Sequence, residues 1–389
     1  MVAKITFFPV DNGDMTLVRL ADTNTSSLLI DCKIRAAADN SNESTFDVGT
    51  ALRKRLKRDN QGRPYVDAML LSHPDEDHCL GLEKHFWLGP ILDYSDDDKP
   101  DHEKRIIIRQ MWSSAMIFRR ASKNHTLCDD AKAFNREAKR RVQKNIDCDF
   151  SVGNGDKILI MGEDQDGKTD ELSPILIRQG ARFNGVNGGA TNFLCSHLLA
   201  PISKQDDDTE ETLSKNGSSV IINFEIKSSE YGSGVSRYLT GGDAGVAIWE
   251  RLSQEYSSDD LAYDLMLAPH HCSWRSLSYD SWSEKGEDAV LSAAAREALG
   301  NANTGAIIVS SSKPITDDDS DPPCIRAKRE YRAILGVMGI FKCTGEEPTR
   351  ANPKPIEIEA TSTGFKLAVA LAAASSITAA AAPRAGKWR

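Results

Sequence analysis

The chain has 389 residues, 40% of them hydrophobic, which is enough for a large core in one elaborated domain or two. A net charge of −9 excludes indiscriminate binding to nucleic acid. Eight scattered cysteines with no Cys-x-x-Cys spacing exclude a disulfide framework and fit a reducing cytoplasm. Residues 1–8 run straight into a strand without the plan of a signal peptide, and residues 1–35 are expected to form two strands of a first sheet. Residues 36–66 read as a loop and a helix over 48–58. Ala68-Met69-Leu70-Leu71 reads as a buried strand, and 80–85 as the start of a helix. Residues 92–150 read as a basic, mostly helical insertion; 130–142 has good helix formers and no Gly or Pro. A second insertion, 162–215, is polar and Gly-rich, with a flexible loop at 185–189 and a solvated acidic run at 206–211. Strands are expected at 219–227, 236–240 and 306–310, and helices at 245–254, 284–299 and 322–337. The Ala-rich stretch 368–382 is too short and too weakly hydrophobic to span a membrane. It reads as a packed helix before a basic tail that carries Trp388.

The chemistry concentrates in Ser72-His73-Pro74-Asp75-Glu76-Asp77-His78, directly after the buried strand. Imidazoles and carboxylates are the ligands of hydrolytic divalent metal sites. Alternate residues of an extended loop point the same way, so His73, Asp75 and Asp77 can converge. Three further groups each follow an apolar, strand-like run. They are Asp11-Asn12-Gly13-Asp14 with the later Asp31, then Thr240-Gly241-Gly242-Asp243, then Pro269-His270-His271-Cys272-Ser273.

In this order the set resembles the metallo-β-lactamase fold hydrolases, and more narrowly the branch containing the nuclease domain of the ComEC/Rec2 DNA-uptake proteins. The resemblance covers roughly residues 4 to 365. It implies an α/β fold, a metallo-β-lactamase four-layer αββα sandwich with helical and loop insertions. One catalytic domain would span 1–365, with a C-terminal helix and tail over 366–389. It also implies two divalent ions, Zn²⁺ or Mn²⁺ with Mg²⁺ as a further option. His73 and Asp75 would belong to the first ion. Asp77, His78 and one histidine of the later pair would belong to the second, with Asp243 bridging. The pattern does not choose between His270 and His271. The working assignment gives His270 to the metal and His271, with Asp77, to catalysis. Asp31 is expected to orient a ligand. Ser273 and Arg275 are placed near substrate, and Trp274 at the pocket entrance.

The chain departs from the family pattern in places. Asp75 stands where many relatives have His. The next usual His ligand is replaced by Asn216-Gly217-Ser218-Ser219, as is typical of the ComEC-like branch, with His197 as a more distant rival. This leaves the first metal set poor in imidazole. Cys272 replaces a family Gly and reads as a small residue filling a turn. Asp321-Pro322-Pro323-Cys324 lacks the histidine that relatives often carry there, a role Lys313 could fill.

Charge is uneven along the chain. Between Lys104 and Lys144 there are 12 Lys/Arg against 3 Asp/Glu, about +9, which leaves about −18 for the rest. Arg136, Arg140 and Arg141 on the expected helix are candidates for a nucleic-acid track of DNA or RNA. A solvated face or a protein-partner surface is the competing reading, and the C-terminal tail is another docking candidate. No membrane association is expected. The functional expectation is a cytoplasmic metal-dependent phosphodiesterase or nuclease. Hydrolysis of a small ester, lactone, thioester or amide is the enzymatic alternative. A bacterial defence or signalling effector that acts through protein contacts is the alternative from another class.

Overall fold

The structure, a computed structural model, describes residues 1–40, 42–118, 127–164, 167–201, 218–230 and 234–368. Three strands rather than two open the chain: β1 (Lys4–Phe7), β2 (Thr16–Arg19) and β3 (Ser27–Ile30), in an antiparallel meander. Helix α1 (Val48–Arg53) leads to β4 (Pro64–Leu71), which joins β3 in parallel. After the short helix α2 (Glu76–Cys79) come β5 (Ile106–Ser114), α3 (Asp129–Asp147) and β6 (Lys157–Met161), which extend the parallel half.

The second sheet repeats this plan. β7 (Leu194–Ala200), β8 (Ile221–Lys227) and β9 (Val235–Leu239) run antiparallel. Helix α4 (Val246–Glu255) precedes β10 (Tyr263–Leu267), and α5 (Ala293–Leu299) precedes β11 (Ala302–Ser310). Helix α6 (Ile325–Leu335) and β12 (Ile340–Cys343) complete a parallel run from β9 to β12. The chain then returns to the first sheet, where β13 (Ile356–Thr361) pairs with β1 and β14 (Gly364–Leu367) with β13.

The central parallel strands are buried on both faces because both faces are covered, as β4 is over all eight residues. Leu28 and Leu70 of the first sheet meet Phe224, Leu265 and Ile307 of the second in one buried cluster. Their neighbours Leu29, Met69 and Met111 point the opposite way, onto Leu52 of α1 and Phe134 of α3. Met266 and Ile308 likewise face Trp249 of α4, Leu299 of α5 and Tyr331 of α6. A period of two thus sends alternate residues to different cores. The result is a mixed α/β chain with two facing sheets and helices on the outer face of each.

Several expectations change. Residues 92–150 are not simply an insertion, because β5 lies inside them and sits between β4 and β6. Within β5, Trp112 is buried between the sheets, 5.3 Å from the Phe183 ring. Residues 162–215 likewise contain β7. The loop at 185–189 is a small hairpin. Gly185–Val186 pairs with Gly189–Ala190 across Asn187 and Gly188, both at positive φ, as tight two-residue hairpins require. The helix expected at 284–299 is two helices, Trp282–Lys285 and α5, separated at Gly286 with φ +52°. The expected helix at 368–382 falls, beyond residue 368, outside the described residues, as does Trp388. No helix among the described residues is long and apolar enough to cross a membrane.

Candidate metal centre

The site forms where strands of both sheets end. β3 runs into Asp31 and β4 into the Ser72–His78 loop. On the second sheet β9 runs into Asp243, and β10 into His270 and His271. The C-terminal ends of parallel strands are where open α/β sheets collect ligands. The loops are joined directly: Val220 N–H donates to Ser72 O at 2.9 Å, and His270 N–H to Gly242 O at 2.9 Å. Gly242 has φ +46°, and a Cβ there would stand 3.0 Å from Ser219 Cβ and 3.4 Å from Ser72 Cβ. Only glycine fits this close approach in a left-handed conformation. Ser219 Oγ accepts the Asp243 N–H at 3.2 Å, so Ser219 positions Asp243.

Asp243 divides the site. Its Oδ1 lies 3.0 Å from His78 Nε2 and 3.5 Å from His271 Nε2. Its Oδ2 lies 3.6 Å from His73 Nε2 and 3.6 Å from His270 Nε2. Asp75 Oδ2 joins the second set, 3.8 Å from His73 Nε2. Asp77 Oδ2 joins the first, 3.1 Å from His271 Nε2. Two donors that share an ion at about 2.1 Å each stand about 3.0–3.4 Å apart at octahedral or tetrahedral angles. His73 Nε2 is buried with no hydrogen-bond partner, an arrangement that costs free energy unless something else is bound there. The chemistry of the donor set fits a divalent ion, with the spacing around Asp243 Oδ1, 3.0–3.5 Å, close to that range and the spacing around Oδ2, 3.6–3.8 Å, wider than it. Asp14, His78, Asp243 and His271 in particular form a buried group able to hold one.

The later histidine pair thus sorts by geometry. His271 faces Asp77 and His78, and His270 faces the same Asp243 oxygen as His73. His271, which the working assignment gave to catalysis, has its ring among the candidate ligands as well. The group around His73 and Asp75, expected to be poor in imidazole, has a second ring beside it, that of His270, 3.6 Å from Asp243 Oδ2. Backbone geometry separates the pair: His270, His271 and Cys272 all have positive φ, at 50°, 54° and 68°. Such a run is uncommon for non-glycine residues and marks a strained, over-determined turn.

Asp31 ties Ser72 and His78 together. It accepts from Ser72 N–H and Ser72 Oγ, each at 2.7 Å, and contacts His78 Nδ1 at 2.8 Å. It holds His78 with Nε2 aimed at Asp243. Electrostatics follow from this crowding of carboxylates. Burial disfavours a charge on His78, yet Asp243 and Asp31 outweigh it and raise its pKa well above the ordinary value. His271 is likewise disfavoured by burial but is pushed up to about 10 by Asp243 and Asp14. Burial disfavours charge on Asp243 as well, but the surrounding imidazoles hold its carboxyl well below the usual range. Burial lowers the pKa of His270.

An ion held by the Nε2 atoms of His78 and His271 would have to displace the protons that their raised pKa values favour there. Affinity for metal-stripped protein is therefore expected to rise with pH, about tenfold per unit for each proton displaced, until pH reaches about 10 for His271. Calorimetry in buffers of different ionisation enthalpy would measure the protons released; a pH-independent affinity would contradict the assignment.

Other expected residues lie elsewhere. Ser273 Oγ donates to Asp321 Oδ1 at 2.6 Å and anchors the 321–323 loop rather than facing the ligands. Arg275 is exposed, with its backbone N–H on Ser273 Oγ. Trp274 is fully buried under Arg326 and lines no entrance. Cys272 is buried with its thiol toward Cys324 O, and burial pushes its pKa up. His197 stands by Asp260, which precedes β10, whereas the site follows that strand. Lys313 is exposed, its backbone N–H donating to Asn12 Oδ1. Asn216 lies outside the described residues.

Of the three arginines named for a nucleic-acid track on α3, only one is exposed. Arg141 is buried, with its guanidinium on Glu137 Oε1 at 2.7 Å, Ile108 O at 3.0 Å and Lys157 O at 3.1 Å. Arg140 is committed to Glu137 and Asp156, each at 2.7 Å. Only Arg136 is exposed, and it pairs with Glu83. The residue of this candidate group that the sequence reading quoted but gave no role is Asp14. Its signal was the Asp that closes Asp11-Asn12-Gly13-Asp14, easily taken for plain turn chemistry.

Compared with protein-family models, curated proteins and solved structures, the chain matches none.

Proposed function

We propose that the chain is a metallo-β-lactamase fold hydrolase of the ComEC/Rec2-like branch that cleaves a phosphodiester with two divalent ions. The observation that carries this reading is the single carboxylate of Asp243 set between two groups of imidazole and carboxylate. His73, Asp75, His270 and Asp243 Oδ2 would hold one ion. Asp77, His78, His271 and Asp243 Oδ1 would hold the other. Two imidazoles with two carboxylates suit zinc and manganese alike. Ions bound there supply Lewis acidity and lower the pKa of water.

The protein's own residues do the rest. His73, His78, His271 and Asp243 have side chains at most 4% exposed, whereas Asp77 is 34%, His270 17% and Asp75 15% exposed. Substrate therefore approaches over Asp75, Asp77 and His270. Lys33 lies half-buried near Asp77 and donates to Asn12 O, with Lys313 beyond it. Two cations at this rim favour an anionic ester over a neutral one.

The reading is tested with metal-stripped protein given Mn²⁺, Mg²⁺ or Zn²⁺ and single- or double-stranded DNA or RNA, with Asp77→Ala as control. Cleavage that needs both metal and Asp77 is expected. Turnover of a small ester, lactone or thioester alone would replace the phosphodiester part of the proposal. No hydrolysis with any metal would overturn the enzymatic reading and favour an effector acting through protein contacts.

A further inference from the structure

Asp14 is almost fully buried, at 2% exposure, and its Oδ1 has no hydrogen-bond partner. That oxygen stands 3.5 Å from Nδ1 of His271, itself a buried nitrogen without a partner. The opposite nitrogen of the ring, Nε2, faces Asp77 and Asp243. A neutral imidazole carries one N–H and one lone pair, so whichever nitrogen keeps the proton decides which can bind a metal. A carboxylate only accepts hydrogen bonds, so Asp14 favours the proton on Nδ1 and frees Nε2. His78 repeats the arrangement with a different carboxylate, Asp31, at 2.8 Å from its Nδ1. The Asp14 Oδ2 is 3.8 Å from that same Nδ1, which Asp31 already serves.

From this we infer that Asp14 is the positioning residue of His271, fixing its tautomer and ring orientation so that Nε2 is the ligand atom. The inference rests on the metal-centre reading above. Asp14 touches neither solvent nor the exposed approach to the site, so it acts through His271 and not on substrate. The neighbouring backbone is built to hold it. Its N–H donates to Asp77 O at 3.1 Å. Gly13, at φ +150°, leaves no room for a side chain: a Cβ would fall 2.2 Å from Lys33 Cδ and 2.6 Å from Asp77 O. Gly13 O accepts Ser311 Oγ at 2.6 Å, which fastens the turn to the end of β11. One short turn thus supports Asp14 from the first sheet while its carboxylate serves a histidine of the second.

The test compares wild type, Asp14→Asn and Asp14→Ala. Asn keeps the volume and replaces an accept-only group, so it guards against a failure that is only loss of packing. Zn²⁺ titration by calorimetry is read with ¹⁵N-detected NMR of the histidine rings, and thermal unfolding checks the fold. Loss of such an outer partner commonly costs about 10- to 100-fold in metal affinity. Asp14→Asn is expected to fold, to bind Zn²⁺ more weakly by about that factor, and to lose the single Nδ1–H signal of His271. Unchanged affinity with an unchanged Nδ1–H signal would overturn the inference. So would loss of one whole equivalent of Zn²⁺, which would make Asp14 a ligand. If wild type itself binds no divalent ion, the metal-centre reading fails instead, and the wild-type arm alone reveals it.

Discussion

Asp243→Asn is expected to abolish divalent-ion binding and turnover while leaving the protein folded. Both of its oxygens are committed, Oδ1 toward His78 and His271, Oδ2 toward His73 and His270. Loss of an outer partner already weakens metal sites by about 10- to 100-fold, so loss of a carboxylate shared by two ligand sets should exceed that range. The metal-stripped variant offers an independent reading. The raised pKa of His271, about 10 in the wild type, depends on burial being outweighed by Asp243 and Asp14. Without the Asp243 charge it should fall, which ring NMR would follow. Calorimetry and metal analysis give the stoichiometry. A variant that still binds two ions would refute the bridging role of Asp243.

Arg141→Ala is expected to destabilise the protein by about 3 kcal/mol without altering metal affinity. Breaking a buried ion pair by removing one partner costs about 3–5 kcal/mol. The lower end applies because Arg140 also pairs with Glu137 and would still partly neutralise it. The change also leaves the carbonyls of Ile108 and Lys157 without their guanidinium donors inside the protein. Urea unfolding measures the effect. A shift in the midpoint at constant slope is expected, together with an unchanged Zn²⁺ isotherm. If Arg141→Ala instead left stability intact and weakened binding to nucleic acid, the helix would be a binding track after all.

The candidate ligand loop was legible in the sequence because its polar residues are consecutive and follow an apolar strand. Asp31 and Asp243 were legible for the same reason, each closing an apolar run. His270 and His271 were not separable, since adjacent residues carry no periodic signal. Their sorting depends on three successive positive φ angles that only the folded turn displays. Asp14 stood in a quoted motif but was given no role, because the role proposed for it depends on a neighbour 257 positions away, His271, which no local pattern reveals. The basic character of 104–144 misled in another way. Net charge along a stretch does not say which side chains face inward, and Arg141 faces the sheet. The same emphasis hid Ile106-Ile107-Ile108, the start of a strand buried at every position but Arg109.

The candidate ligands come from loops on both sheets, with His73, Asp75, Asp77 and His78 on one side and Asp243, His270 and His271 on the other. On the proposed reading, the ions therefore act as a clasp between two halves of the molecule. An ion that binds only the folded state adds about 4 kcal/mol at a free concentration a thousandfold above its Kd. Degradation in cells tracks the population of opened molecules when opening is fast. Metal starvation would then deplete the protein itself as well as silence it, and its abundance would report the supply of the ion it uses.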